Sequence, residues 1–133
     1  HKIILTDLGN SYPETQQHIS EVYNLIKDKY PDKRKGIFLA NDTHANIFLN
    51  LLMRDYGTLP DDFRIIGYDD SPIASEAIIP ISTVGQQIDK IAHEAMKLLV
   101  SQMNEMKKRR PVPQTEIIHK MITPVLVRRD TTT

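Results

Sequence analysis

The sequence predicts an α/β protein with a parallel sheet and helices on both faces. Three observations carry that expectation. Short apolar, β-branched runs alternate with helical periodicities over the first 70 residues, giving strand–helix–strand–helix–strand, the rhythm of right-handed crossovers. The second run has almost no polar residue on either face, as a strand covered from both sides requires. Each run also stops at residues suited to capping a helix or making a turn.

The elements follow in order. His1-Lys2-Ile3-Ile4-Leu5-Thr6 is short, apolar and β-branched, and reads as the first strand. Ser11-Tyr12-Pro13-Glu14 has the form of a capping box with a proline in a first turn that needs few donors. Behind it Ile19, Val22, Tyr23, Ile26 and Tyr30 fall on one helical stripe, which Pro31 ends. Asp32 to Gly36 is a charged turn, and Gly36 to Ala40 is the second strand. A helix then runs from about Thr43 to Tyr56, with Asp42 as its N-cap and Gly57 just past its end. Its stripe of Ala45, Phe48, Leu49, Leu52 and Tyr56 suits a sheet. A flanking pair, Ile47 and Leu51, makes the apolar arc wider than packing on one sheet requires. Leu59-Pro60-Asp61-Asp62 turns into the third strand, Ile65-Ile66-Gly67-Tyr68, which stops at two adjacent carboxylates, Asp69 and Asp70.

The second half departs from this rhythm. Ile73 to Ile79 is a short, mostly apolar segment, and Pro80 to Val84 reads as an extended connector. A long helix from about Gln87 to Lys108 aligns Ile88, Ile91, Ala92, Ala95, Leu98, Leu99, Met103 and Met106. Lys107 to Arg110 close it where the helix dipole favours cations, and Pro111 and Pro113 forbid continuation. Glu116 to Arg129 is an extended tail interrupted by Pro124.

Composition narrows the function. A chain of 133 residues, 40% hydrophobic and 26% charged, can bury a core and reads as globular rather than disordered. Seventeen basic residues balance seventeen acidic ones, so no overall field favours nucleic acid or a membrane surface. The lack of cysteine excludes disulfides, cysteine-bound zinc and thiolate catalysis. No apolar run approaches the roughly 20 residues of a bilayer span, and the start does not resemble a signal peptide. A cytoplasmic protein is expected. Because the chain opens directly on a strand, it is also expected to be a fragment of a longer one.

In an open parallel sheet, ligands bind beyond the carboxyl ends of the strands. Those ends carry Thr6-Asp7, Asn41-Asp42 and Asp69-Asp70, a rim rich in acceptors with no cation among them. Sugar hydroxyls, which need acceptors and rarely charge, suit such a rim. The competing reading is that these residues only cap helices and form turns, and it applies most strongly to Asp42. Asp69, nearest the strand end, is the leading ligand-binding acid.

Four stretches also appear together: "FLANDTHA" (Phe38 to Ala45), "LPDDFRIIGYDDSPIA" (Leu59 to Ala74), "IPISTVGQQ" (Ile79 to Gln87) and "PVLVRRDTT" (Pro124 to Thr132). In order and spacing this resembles the C-terminal part of the effector-binding domain of the lac-repressor (LacI/GalR) family of transcriptional regulators. The resemblance implies a periplasmic-binding-protein-like (type I) core of two lobes closing on a small effector, such as a sugar or its derivative. By it, residues 1–86 and 124–133 belong to the C-terminal lobe. Residues 87–123 would be a crossover helix and strand of the N-terminal lobe, most of which is absent together with the DNA-binding headpiece. Matched residue by residue, it places effector contacts at Asn41, Asp69 and Gln86. Asp7 joins them from the strand-end rim, and Tyr12 is the candidate for an aromatic stacking on the ligand. It implies a homodimer through the Thr43–Tyr56 helix and the segment after the aspartate pair, with Ile47, Leu51 and Ile73 at the interface. The implied partners are a small-molecule effector, operator DNA through the missing headpiece, and a second copy. No membrane, metal or cofactor enters. The stripe of Ile88, Ile91, Ala95, Leu99 and Met103 is then expected to pack on a neighbouring chain or on the other lobe.

The other chemistries are weaker. A periplasmic-type sugar-binding protein of a transport system would share the fold and the rim. Val127-Arg128-Arg129-Asp130-Thr131 favours the regulators by resemblance. In phosphoryl-accepting receiver domains the acidic pair follows the first strand, whereas here it follows the third and the accompanying lysine is lacking. His93-Glu94 begins a zinc-protease motif, but Lys97 stands where the second histidine must be. Asp89 and His93 sit one turn apart, as a metal pair would, but a solvated helix face explains them better. No Gly-x-Ser-x-Gly elbow or glycine-rich phosphate loop occurs. The Lys107–Arg110 cluster reads as a solvated helix end rather than a phosphate-binding patch. No catalytic residue is assigned, and an enzyme is not expected.

Overall fold

A computed structural model of the protein describes residues 3–108 and 117–133. The chain divides into two compact units, His1–Val84 with Leu126–Thr133 and Gly85–Val125. Helix α1 (Tyr12–Lys29), strand β1 (Lys35–Phe38), helix α2 (Asp42–Tyr56), strand β2 (Phe63–Asp69) and helix α3 (Pro72–Glu76) follow one another in the first unit. Strand β3 (Ser82–Gly85) leads out of it, helix α4 (Ile88–Met106) lies in the second, and strand β4 (Val125–Val127) leads back. The four strands form one sheet in the order β1-β2-β3-β4, and β1 and β2 run parallel.

The capping box acts as its sequence implies. Ser11 Oγ accepts from the Glu14 N–H at 3.4 Å, while the Glu14 carboxylate reaches the N–H of Asn10, one residue further back than expected. Helix α1 then buries Ile19 and Tyr23 against Phe48 of α2, with the Tyr23 and Phe48 rings edge to face at 5.6 Å. The Tyr23 hydroxyl donates to Asp55, which also holds Lys27 and Arg54. Burial first, and then this bond, push the Tyr23 hydroxyl pKa up. The Arg54 contact, followed by those of Tyr23 and Lys27, holds the Asp55 carboxyl well below the usual range. Ala45, Phe48, Leu49 and Leu52 of α2 meet Phe63 and Ile65 of β2, and Leu39, Ala74 and Ile81 complete the core. Along β1, Lys35, Ile37 and Leu39 alternate inward, whereas Phe38 on the opposite face is 66% exposed.

Several expectations are corrected. Among the described residues the first strand does not form, and Leu5 is 91% exposed. A cleft of about 1130 Å³ is lined by residues 4–9 on one side and by β1 on the other. His1 and Lys2 lie outside the described residues. Asn41, not Asp42, caps α2, because its Oδ1 accepts from the His44 N–H at 2.8 Å and Asp42 is already helical. Tyr56 leaves the buried stripe and is half exposed beneath the Lys27 ammonium, 5.7 Å from its ring centroid. The Ile73–Ile79 segment contains α3, opened by Pro72 in its first turn. The Pro80–Val84 connector contains β3, a full member of the sheet.

In the second unit α4 forms, and none of its residues is buried. The strand expected around Glu116 to Ile122 is not present from Ile117 onward, where the described residues of that unit offer no neighbouring strand to share its hydrogen bonds. Side chains attach the segment to the helix instead, through Lys120 to Glu94 at 2.8 Å and Gln87 Nε2 to the Thr123 carbonyl at 2.6 Å. Arg109, Arg110, Pro111, Pro113 and Glu116 lie outside the described residues.

The last residues lock onto the sheet. Thr131, fully buried, donates its hydroxyl to the Ile65 carbonyl at 2.6 Å and accepts from the Ser82 N–H at 2.9 Å. Thr131→Val keeps the volume and removes both bonds, so a buried N–H loses its partner. Unfolding in urea should show a loss of about 2 kcal/mol with an unchanged slope.

Candidate functional site

The parallel register sets the site. Phe38 lies opposite Ile66; beyond that pair β1 leads to Asn41, the N-cap of α2, and β2 runs on to end at Asp69. Leu39 N–H extends the pairing to the Ile66 carbonyl at 2.9 Å. Asp42, only 1% exposed, lies behind this edge. Its Oδ2 accepts from the Ser71 N–H at 2.7 Å and the Ser71 hydroxyl at 3.0 Å, and its Oδ1 from the Thr83 hydroxyl at 2.6 Å. Gly67 makes room for it, since a Cβ there would meet Asp42 Oδ1 at 2.3 Å.

The turn beyond β2 is unusual. Asp69 has φ 107 and Asp70 φ 52, in a region L residues enter at a cost of about 1–3 kcal/mol each. Such conformations persist where the surroundings over-determine them. Here the Asp70 N–H donates to Thr83 Oγ1 at 3.3 Å, and the Asp70 carboxylate pairs with the Arg129 guanidinium at 2.8 Å.

The expected site residues are distributed as follows. Asn41 and Asp69 follow the carboxyl ends of the paired strands β1 and β2, Asn41 as the N-cap of α2 and Asp69 as the last residue of β2. Asp7 is exposed, and its Oδ1 accepts from the Gly9 N–H at 3.0 Å. It lines the cleft beside β1 with Thr6, Ala40 and His44. Tyr12, the first residue of α1, lines a different groove between α1 and α2, of about 510 Å³, together with Ile47, Leu51 and Ile73. The residue suggested for stacking thus sits among those suggested for dimerisation. Gln86 directly follows β3 and falls in the second unit. Among the described residues no group of three or more histidines and acids is placed to hold a metal ion.

The reading of residue types missed three supports: Asp42 beyond its capping role, Thr83 and Arg129. Gly67 inside an otherwise apolar strand was the available signal, because such a glycine marks close approach by another group. Nothing local to Thr83 or Arg129 marks them, since both act across the fold.

Residues 5–132 match the periplasmic binding protein-like domain family model. The chain is 34% identical over 82 residues to the ribose operon repressor of Bacillus subtilis (strain 168), covering 62% of this chain and 24% of the repressor. To the transcriptional regulator CelR of Thermobifida fusca it is 32% identical over 78 residues, 59% of this chain and 23% of CelR. The crystal structure of a LacI family transcriptional regulator from Lactobacillus casei with bound sucrose superposes with a TM-score of 0.66 at 25% identity. It covers 92% of this chain and 41% of that one. The chain belongs to the periplasmic binding protein-like domain family, in the form found in the effector-binding domains of LacI-family regulators. It spans about a quarter of the length of the curated relatives it matches.

His44, three residues past Asn41, supplies a pH test. Its Nδ1 is buried with no hydrogen-bond partner among the described residues, and burial lowers the ring's pKa. The folded chain therefore resists protonation while the unfolded chain takes a proton near about pH 6.5. The stability His44 contributes is full above that pH and is lost as the pH falls below it. Denaturant melts of His44→Gln between about pH 5 and about pH 7 should show a flatter decline than the unsubstituted chain.

Proposed function

We propose that residues 1–86 and 124–133 are the larger part of the C-terminal lobe of a ligand-responsive transcriptional repressor, with residues 87–123 belonging to the opposite lobe. The intact protein binds a sugar or sugar derivative between its lobes, and this controls an upstream DNA-binding domain. The observation that carries the reading is that two neighbouring parallel strands lead at their carboxyl ends to Asn41, the N-cap of α2, and to Asp69, the last residue of β2. Asn41 spends its oxygen on capping α2, which leaves its amide as a donor, and Asp69 supplies an acceptor. A hydroxyl group both donates and accepts, so this pair suits a polyol better than a charged ligand. Gln86 and Asp7 are secondary contacts, and Tyr12, which lines the groove between α1 and α2, is not one of them. The named relatives are regulators, which favours this reading over a transport component. The protein acts in the cytoplasm, where operator DNA is, and no catalytic step is assigned to it.

Calorimetry on the full-length protein with D-ribose, sucrose and cellobiose tests the ligand class. Asp69→Ala should weaken the sugar that binds by about ten- to a hundred-fold, the worth of a hydrogen bond to a charged acceptor. Unchanged affinity would remove Asp69 from the site.

The groove carrying Ile47, Leu51 and Ile73 is the homodimer face. These three side chains are half-buried in the chain alone, Ile47 and Leu51 flanking the buried stripe of α2 and Ile73 on α3. Ile47→Lys should leave the fold intact and convert dimer to monomer in sedimentation velocity. A dimer that survives the substitution assigns the interface elsewhere.

A further inference from the structure

We propose that Arg129 is a positioning residue for the effector acid, acting through Asp70 to hold Asp69 in its binding orientation. This rests on the reading of Asp69 given above. Two consecutive L residues with positive φ need restraint from outside the turn. The inner restraint is the buried Asp42, which holds Ser71 directly and Thr83 by its hydroxyl, and Thr83 holds the Asp70 N–H. That set fixes the backbone after Asp69 from one side only. Arg129 supplies the other side. Its Nη2 pairs with Asp70 Oδ1 at 2.8 Å while its Nη1 donates to the Ile81 carbonyl at 3.1 Å. The planar fork spans the start of β3 and the end of β2 in a way one ammonium does not. The base of the side chain is fixed too, by its own N–H to Ser82 Oγ at 2.7 Å.

Sequence order gives this contact its consequence. The chain leaves the first unit at Val84 and returns at Leu126, so Arg129 arrives only after the whole second unit has been traversed. The strained aspartate turn is thus completed by the last few residues. Arg129 needs no contact with the effector to do this. Its substitution should change how well Asp69 is aimed rather than which ligand is chosen.

The test uses the full-length protein and its Arg129→Met, Arg129→Lys and Asp70→Asn variants. Crystal structures read φ at positions 69 and 70 directly, and calorimetry with D-ribose, sucrose and cellobiose reads affinity. Arg129→Met should let Asp70 leave the left-handed region and weaken the sugar bound by the parent about tenfold. Arg129→Lys should recover part of that loss through its charge, and Asp70→Asn should show a smaller loss in the same direction, keeping the test open if Arg129→Met fails to fold. A lower melting temperature with both φ angles and the affinity unchanged would overturn the proposal, leaving Arg129 as scaffold alone. If the parent binds none of the three sugars, the sugar reading fails. The φ angles then decide the positioning role by themselves, retention of both overturning it.

Discussion

One buried carboxylate joins the elements that build the site. Asp42 opens α2, yet its two oxygens face away from that helix, one to the turn after β2 and one to β3. A charge so deeply buried is tolerated only when its oxygens are satisfied, and here three donors and the positive end of α2 do that. The arrangement has a spatial demand, met by Gly67 on the adjacent strand. It also explains the division of labour between neighbours. Asn41 takes the cap, which frees Asp42 to tie the start of α2 to the turn after β2 and to β3.

The carboxyl edge of the sheet inherits its geometry from this joint. Asn41 is fixed because α2 begins there, and Asp69 because the residues after it are held from two directions. Preorganisation of this kind matters for a hydroxyl-rich ligand of the class proposed, because its hydrogen bonds largely replace those it makes to water and leave little to offset the cost of ordering the protein. The strain at Asp69 and Asp70 is consistent with that role, since unfavourable backbone angles cluster where a side chain must be aimed rather than merely accommodated.

Much of this was legible in the sequence, for identifiable reasons. Helices α1, α2 and α4 announce themselves through periodic stripes and local caps, and β1 and β2 through short apolar runs between turns. What failed was whatever depends on a neighbour. The first run has strand composition but nothing beside it to pair with, and Ile117 to Ile122 fail in the same way. β3 carries few strand signals and becomes a strand because β2 and β4 flank it. In the site, the strand-end polar residues were visible from position alone. The distinction between Asn41 and Asp42 was not, because either can cap a helix and only the third dimension shows what the other one touches. Arg129 lies 59 residues from its partner Asp70, beyond the reach of any local pattern.

The terminal position of β1 among the described strands has a bearing on how the chain behaves in concentrated solution. Its outer edge offers unpaired backbone groups, and Phe38 adds an exposed aromatic ring, a combination that invites another chain to extend the sheet. The strand is protected at its entrance. Lys33 and Arg34 bring exposed positive charge to the approach, and β1 spans only four residues. An approaching copy would bring the same two cations against these, so like-charge repulsion opposes self-association at the edge most open to it.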